Sequence, residues 1–160
     1  MKSKMKKLLK HTVFIASFLM LFATQASAWV NKGFNPNNVS QVTVIIRDGA
    51  KKGCWTNISE VKRYTEDKLE LAGFRVSRDN FSAWIDDSHF VLEYYINATR
   101  QNDRQCFGNI YAQIFRATWI NNIEGYFSVG QADSIYSGVT GNMNQVALSF
   151  IGELIEEINQ

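Results

Sequence analysis

The chain is short of the residues that usually announce a chemistry. Pro36 is its only proline, so from Gln41 onward no proline interrupts a strand or helix. Two histidines, His11 and His89, and two cysteines, Cys54 and Cys106, match no zinc-ligand spacing. The G-x-x-x-x-G-K-[ST] phosphate loop and the G-x-S-x-G nucleophile elbow are both missing. Internal repeats and low-complexity tracts are missing too. No metal, no cofactor and no enzymatic activity are expected.

Positive charge is scarce outside the first ten residues. Lys2, Lys4, Lys6, Lys7 and Lys10 precede an apolar run from Thr12 to Ala23, and Ala26-Ser27-Ala28 offers the small residues a signal peptidase accepts. Residues 1–28 therefore read as a signal peptide cut after Ala28, and the product as periplasmic or secreted. The apolar run falls short of the roughly 20 residues a membrane span needs, so no stable membrane insertion is expected once the signal is removed. Five of the 17 basic residues leave with that segment, and the 15 acidic residues then outnumber those that remain. A weakly acidic domain without a basic cluster is a poor ligand for nucleic acid.

What is present describes one α+β domain. Residues 29–40 form an Asn-rich extended arm in which Trp29 and Phe34 can dock on the body. Residues 41–160 form a single domain of order β-α-β-β-β-β-α, an antiparallel-dominated sheet with two helices mainly on one face. Val42, Val44, Ile45 and Ile46 make a nearly continuous apolar strand suited to the sheet interior. Asn57 with Glu60 suits the start of a helix that Gly73 ends. Phe74 to Arg78 reads as a short strand, and Tyr126 to Ser137 as a strand broken at Gly130, after a turn over Asn121–Gly125. Met143, Val146, Ala147, Phe150, Ile151, Leu154, Ile155 and Ile158 fall at three- and four-residue steps, an amphipathic C-terminal helix.

The centre of the chain is a hairpin from His89 to Trp119, turning at Gln101–Arg104. Phe90, Leu92, Tyr94, Ile96 and Ala98 alternate with Val91, Glu93, Tyr95, Asn97 and Thr99. Tyr95, Phe107, Tyr111, Phe115 and Trp119 share the face opposite Leu92, Ile96, Ile110 and Ile114. Helices on the aliphatic face would leave this aromatic stripe open as a candidate binding face. Two weaker candidates stand beside it. Gly49-Ala50-Lys51-Lys52-Gly53 precedes a helix, where amides and lysines could hold an anion. His89 with Asp86, Asp87 and Ser88 supplies the residue types of a hydrolase triad without its geometry.

In element order and exported context the chain resembles the small α+β modules of bacterial envelope proteins, among them the auxiliary lipoproteins that assist outer-membrane assembly and transport. It departs from those lipoproteins in lacking a lipid-bearing cysteine. The resemblance implies a non-enzymatic interaction module that binds a protein partner in the envelope or associates with itself. A small apolar-ligand or lipid carrier, with a pocket between the sheet and the helix at Met143–Ile158, is the alternative. A small hydrolase using His89 is a further one.

An even cysteine count in an exported domain favours a disulfide between Cys54 and Cys106. Closing a loop of about 53 residues contributes roughly 4 kcal/mol by restricting the unfolded chain. Thiol titration of the denatured, unreduced protein should find no free thiol, and two free thiols would contradict the bridge.

Overall fold

The computed structural model describes residues 27–78, 88–102 and 105–159. Its elements are β1 (Ser27–Val30), β2 (Gln41–Asp48), α1 (Ile58–Leu71), β3 (Val76–Ser77), β4 (His89–Arg100), β5 (Cys106–Ile120), β6 (Ile123–Gly138) and α2 (Thr140–Ile158). The strands form one sheet in the order β1-β6-β5-β4-β2-β3. β2 runs parallel to both β3 and β4, while β4–β5, β5–β6 and β6–β1 are antiparallel. The fold is α+β as expected, with a mixed sheet. β2 lies inside that sheet, which its nearly continuous apolar run requires.

Two features differ from the sequence reading. β1 is an extra strand, and its Ser27 and Ala28 pair with Asp133 and Ala132. The stretch after it is folded rather than extended, with Phe34 N–H donating to the Asn31 carbonyl and Val39 N–H to that of Asn35. Phe34 is buried, stacked on Phe74 with ring centroids 5.0 Å apart and edge-on to Phe90 at 5.4 Å. Trp29 stays half exposed on β1.

Both helices lie on one face of the sheet. Leu92, Tyr94, Ile96, Ile110, Ala112 and Ile114 share a single buried cluster with Val61 and Leu69 of α1 and with Met143, Ala147, Ile151 and Leu154 of α2. The α2 stripe is therefore core, as its periodicity requires. Tyr94 stands at the centre, its ring between Trp55 and Phe150 and its hydroxyl donating to the Ala147 carbonyl at 3.0 Å. Burial pushes the Tyr94 phenol far above its ordinary pKa, so it stays protonated and keeps donating.

The helix ends show how local chemistry is shared out. Asn57 precedes α1, but its side chain makes no cap bond. Its Oδ1 accepts from Trp55 Nε1 at 2.7 Å and its Nδ2 donates to the Asn144 carbonyl and to Glu60. Asn57 thus ties the start of α1 to α2 instead of capping. At the other end Gly73 has φ +91°, Phe74 N–H donates to the Leu69 carbonyl and Gly73 N–H to that of Glu70. This paired bonding is the Schellman ending that Gly73 promised.

Cys54 and Cys106 are bridged, with Cα atoms 5.8 Å apart, and the bond pins the β2–α1 connection to the start of β5. Beside it the β4–β5 ladder is too tight for any side chain at Gly108. A Cβ there would sit 2.1 Å from the Asn97 carbonyl oxygen and 2.6 Å from Ala98 Cα, both backbone atoms. Gly108→Ala should therefore cost about 1–3 kcal/mol or more, because the strands must separate to accept it. Gly125→Ala, where nothing lies within 4 Å, should leave the melting temperature nearly unchanged. Equal melts for the two variants would contradict the ladder.

Candidate functional site

Alternation along β4 and β5 decides what faces away from the helices. Because Tyr94 and Ile110 point into the core, Tyr95 and Tyr111 point out, and they pair directly across the two strands. Rows parallel to this one cross the whole sheet. Arg47, Tyr95, Tyr111 and Asp133 form one row; Thr99, Phe107 and Ser137 form another; Asn97, Asn109 and Ile135 lie between. Phe107 is 37% exposed and Ile135 73% exposed. Tyr95 and Tyr111 are half-buried among polar neighbours. The result is an apolar patch interleaved with polar side chains.

Charge frames that patch. Arg47 donates from Nε to Glu93 Oε1, and this hydrogen bond, followed by the carboxylate's charge, raises the guanidinium pKa. Partial burial, then the negative charges of Glu93 and Asp133, raise the Tyr111 phenol above its ordinary value. The hydroxyl therefore stays neutral at physiological pH. It can donate or accept a hydrogen bond while its ring offers contact area with few rotamers to lose.

The sequence stripe does not survive as one surface. Phe115 faces the same way but is only 8% exposed, packed with Val91 and Ile45 in a small second core and edge-on to Tyr126 at 5.3 Å. Trp119 lies beyond the reach of β4, where only β5 and β6 pair. β4 begins at His89 and its pairing with β5 begins at Val91↔Phe115, so residues 116–127 overhang as a two-stranded arm. Two features shape that overhang. β6 carries one extra residue, Val129, where Ile114 pairs with Gly130 and Phe115 with Ser128. This is a β-bulge that bends the ladder, at the position where the sequence pattern showed a break. At the tip, Asn121 and Asn122 have φ of 53° and 64° and turn the chain in two residues. Positive φ at both central positions marks the primed turn that matches strand twist, so the turn is shorter than the Asn121–Gly125 stretch suggested.

The weaker candidates lose their chemistry. His89 is 1% exposed and its Nε2 lies 2.7 Å from Thr43 Oγ1. A general base must reach its substrate, and an imidazole buried beside Thr43 does not. Asp86 and Asp87 lie outside the described residues. In the Gly49–Gly53 loop, Gly49 N–H and Lys51 N–H donate to the Ile96 and Ala98 carbonyls of β4. With Ala50 N–H donating to Asp48 Oδ1, three of the loop's amides are thereby used. Arg100 holds the other side of the loop through the Lys52 and Gly53 carbonyls.

The middle of α2 leaves no room for a carrier pocket. Met143, Ala147, Ile151 and Leu154 are buried against the sheet. Two clefts, of about 390 and 500 Å³, border the folded N-terminal stretch, the first lined by Phe34, Phe90, Arg116 and Phe127 among others, the second by Val30, Pro36, Glu157 and Ile158 among others, at the end of α2. Among the described residues no group of His, Cys, Asp and Glu could hold a metal, and no helix is long and apolar enough to cross a membrane.

These placements separate Phe115 from its stripe in an experiment. Phe115→Ala should lower stability by about 3–5 kcal/mol, the cost of emptying a packed aromatic site. Tyr95→Ala should cost clearly less, since that ring is half-open. Chemical-denaturant melts that rank the two the other way round would refute the assignment of faces.

Neither a protein-family model nor a curated protein matches the chain. Solved structures do share its fold. PelC from Paraburkholderia phytofirmans, solved as a dodecamer, aligns at a TM-score of 0.53 with 12% identity over 85% of this chain and 99% of that one. A point variant of the same dodecamer aligns at 0.56 with 10% identity over the same shares. The hypothetical protein CT253 from Chlamydia trachomatis aligns at 0.38 with 12% identity over 75% of this chain and 93% of that one, a score too low to bear on function. The PelC alignments show that the chain has the fold of a small bacterial protein, over nearly the whole length of that protein.

Proposed function

We propose that the protein is an exported, non-enzymatic interaction module of the bacterial envelope that binds protein, in the first instance another copy of itself. The patch of Tyr95, Phe107, Tyr111 and Ile135 is its contact surface. The observation that carries this reading is the one-sided covering of the sheet. The helices bury the aliphatic face, and the opposite face keeps large apolar side chains in water beside Asn97, Asn109 and Gln113. Exposed patches of this composition mark contact surfaces.

Three further points support it. The disulfide fits an oxidising compartment outside the cytoplasm. The fold is shared with a chain solved as a dodecamer. The histidine of the hydrolase reading is buried, and the α2 face from Met143 to Leu154 is packed against the sheet. The signal-peptide cut expected after Ala28 falls inside β1, so export would leave Trp29 as the first residue, still opposite Gln131 on the patch side.

Sedimentation beside circular-dichroism melts tests the proposal. Tyr111→Ala and Phe107→Ala should weaken self-association, or capture of an envelope partner, by about tenfold or more, while their melts stay close to that of the parent. Undiminished association would overturn the assignment of this face, and collapse of both melts would show it to be core.

A further inference from the structure

The overhanging arm is the least explained part of the molecule. Its five rungs, from Arg116↔Phe127 to Ile120↔Ile123, extend it by roughly 17 Å at about 3.4 Å per residue. Among the described residues no third strand pairs with it. It is nevertheless strongly apolar: Trp119 is 63% exposed, Ile123 71%, Tyr126 60% and Phe127 51%. By register Trp119 and Tyr126 lie on one face of the ribbon, and Ile123 and Phe127 on the other. An isolated two-stranded ribbon is marginal in water, and one that is apolar on both faces asks for contact on both.

The tip narrows what that contact is. Asn121 and Asn122 form the outermost turn and are exposed. A wedge that entered lipid tip-first would carry these two amides deepest, where unsatisfied polar groups are costly. A protein surface that grips the sides of the ribbon and leaves the tip wet fits better.

The same chain carries a surface that can take one side of it. The Phe107, Tyr111 and Ile135 patch lies at the other end of the long hairpin, with Phe107 twelve residues from Trp119 along β5, roughly 40 Å away. Two apolar patches, far apart and different in shape, are what a head-to-tail contact needs. One patch of each copy meets the other patch of the next, and the chain of contacts closes into a ring when the rotation allows. The two exposed side chains on either face of the arm offer roughly 250 Å² of apolar area, taking about 150–250 Å² for a large side chain. That is about a third of the roughly 800 Å² per partner in a stable interface, the rest coming from the surroundings of the patch.

We infer that the β5–β6 arm of one copy docks on the helix-free sheet face of the next copy, giving a head-to-tail assembly. The inference rests on the reading of that face as the contact surface. It adds the arm as the second half of the interface and fixes the symmetry class as heterologous.

A mixing experiment with mature protein recovered from producing cells tests it. An arm variant, Ile123→Lys with Trp119→Gln, and a face variant, Phe107→Ala with Tyr111→Ala, are each run in sedimentation, alone and together. Each alone should sediment as a monomer. Mixed, they should form a one-to-one dimer and nothing larger, because one copy keeps an intact face and the other an intact arm. An arm variant that assembles like the parent overturns the inference and leaves the face reading standing. A face variant that assembles like the parent overturns both. Two monomers that stay apart when mixed overturn the head-to-tail geometry, since each retains the half of the interface that the other lacks. A parent monomeric at every concentration also overturns it. Melts of each variant guard against unfolding, and Ile123→Lys alone serves where the double arm variant does not fold.

Discussion

Tyr94 enforces which side of the sheet the helices cover, and every outward-facing residue takes its place from that choice. Its hydroxyl reaches the Ala147 carbonyl of α2 while its ring packs between Trp55 and Phe150. A slip of one residue in β4 would carry Tyr95 and Asn97 into the core and put Leu92 and Ile96 in water. Tyr94 would lose its partner with them, so the penalty combines lost apolar burial with a buried donor's lost bond. Once this side is fixed, the outward direction of Tyr95, Tyr111 and Phe107 follows from the pleat. The open face is therefore a consequence of the core and needs no separate device to orient it.

Much of the core was legible because its signals are local. The α2 stripe repeats at helical steps, β4 alternates cleanly, and Gly73 sits where a helix must stop. The cysteine pair could be joined from its count and the exported context alone. What was illegible depends on partners distant in sequence. Ser27 and Ala28 read as the end of a signal segment and Trp29 and Val30 as the start of an extended arm, and nothing local says that the four will pair with β6. Phe115 looks like its neighbours in the stripe, but it is buried by Ile45 of β2, some seventy residues earlier. Strand order is equally hidden. Alternation tells which residues share a face and is silent on whether β2 runs with or against β4.

The arm shows the same limit. Its residues alternate no differently from those of β5 inside the sheet, so the sequence presents one long strand. Only the register of β4, which first meets β5 at Val91↔Phe115, reveals that everything beyond lacks a third strand among the described residues. The Val129 bulge then bends the overhang, and the Asn121–Asn122 turn closes it without slack. A short, bent ribbon loses less entropy on docking than a floppy loop would, which favours a contact element over a linker. The remaining titratable groups are structural neighbours of the sheet: His89 is enclosed, and Glu93 holds Arg47 at the rim of the patch. Both groups are engaged in holding the sheet or framing its open face.

Hydroxyl-radical footprinting of the unmodified protein over a range of concentrations discriminates most sharply between a docking face and a bare one. If arm and open face meet between copies, Tyr94 and Phe115 stay unreactive throughout. Trp119, Tyr126, Tyr111 and Ile135 react in dilute solution and lose reactivity together as concentration rises. Reactivity at those four positions that does not depend on concentration would contradict the head-to-tail contact. Strong labelling of Phe115 in the dilute protein would contradict the assignment of faces beneath it.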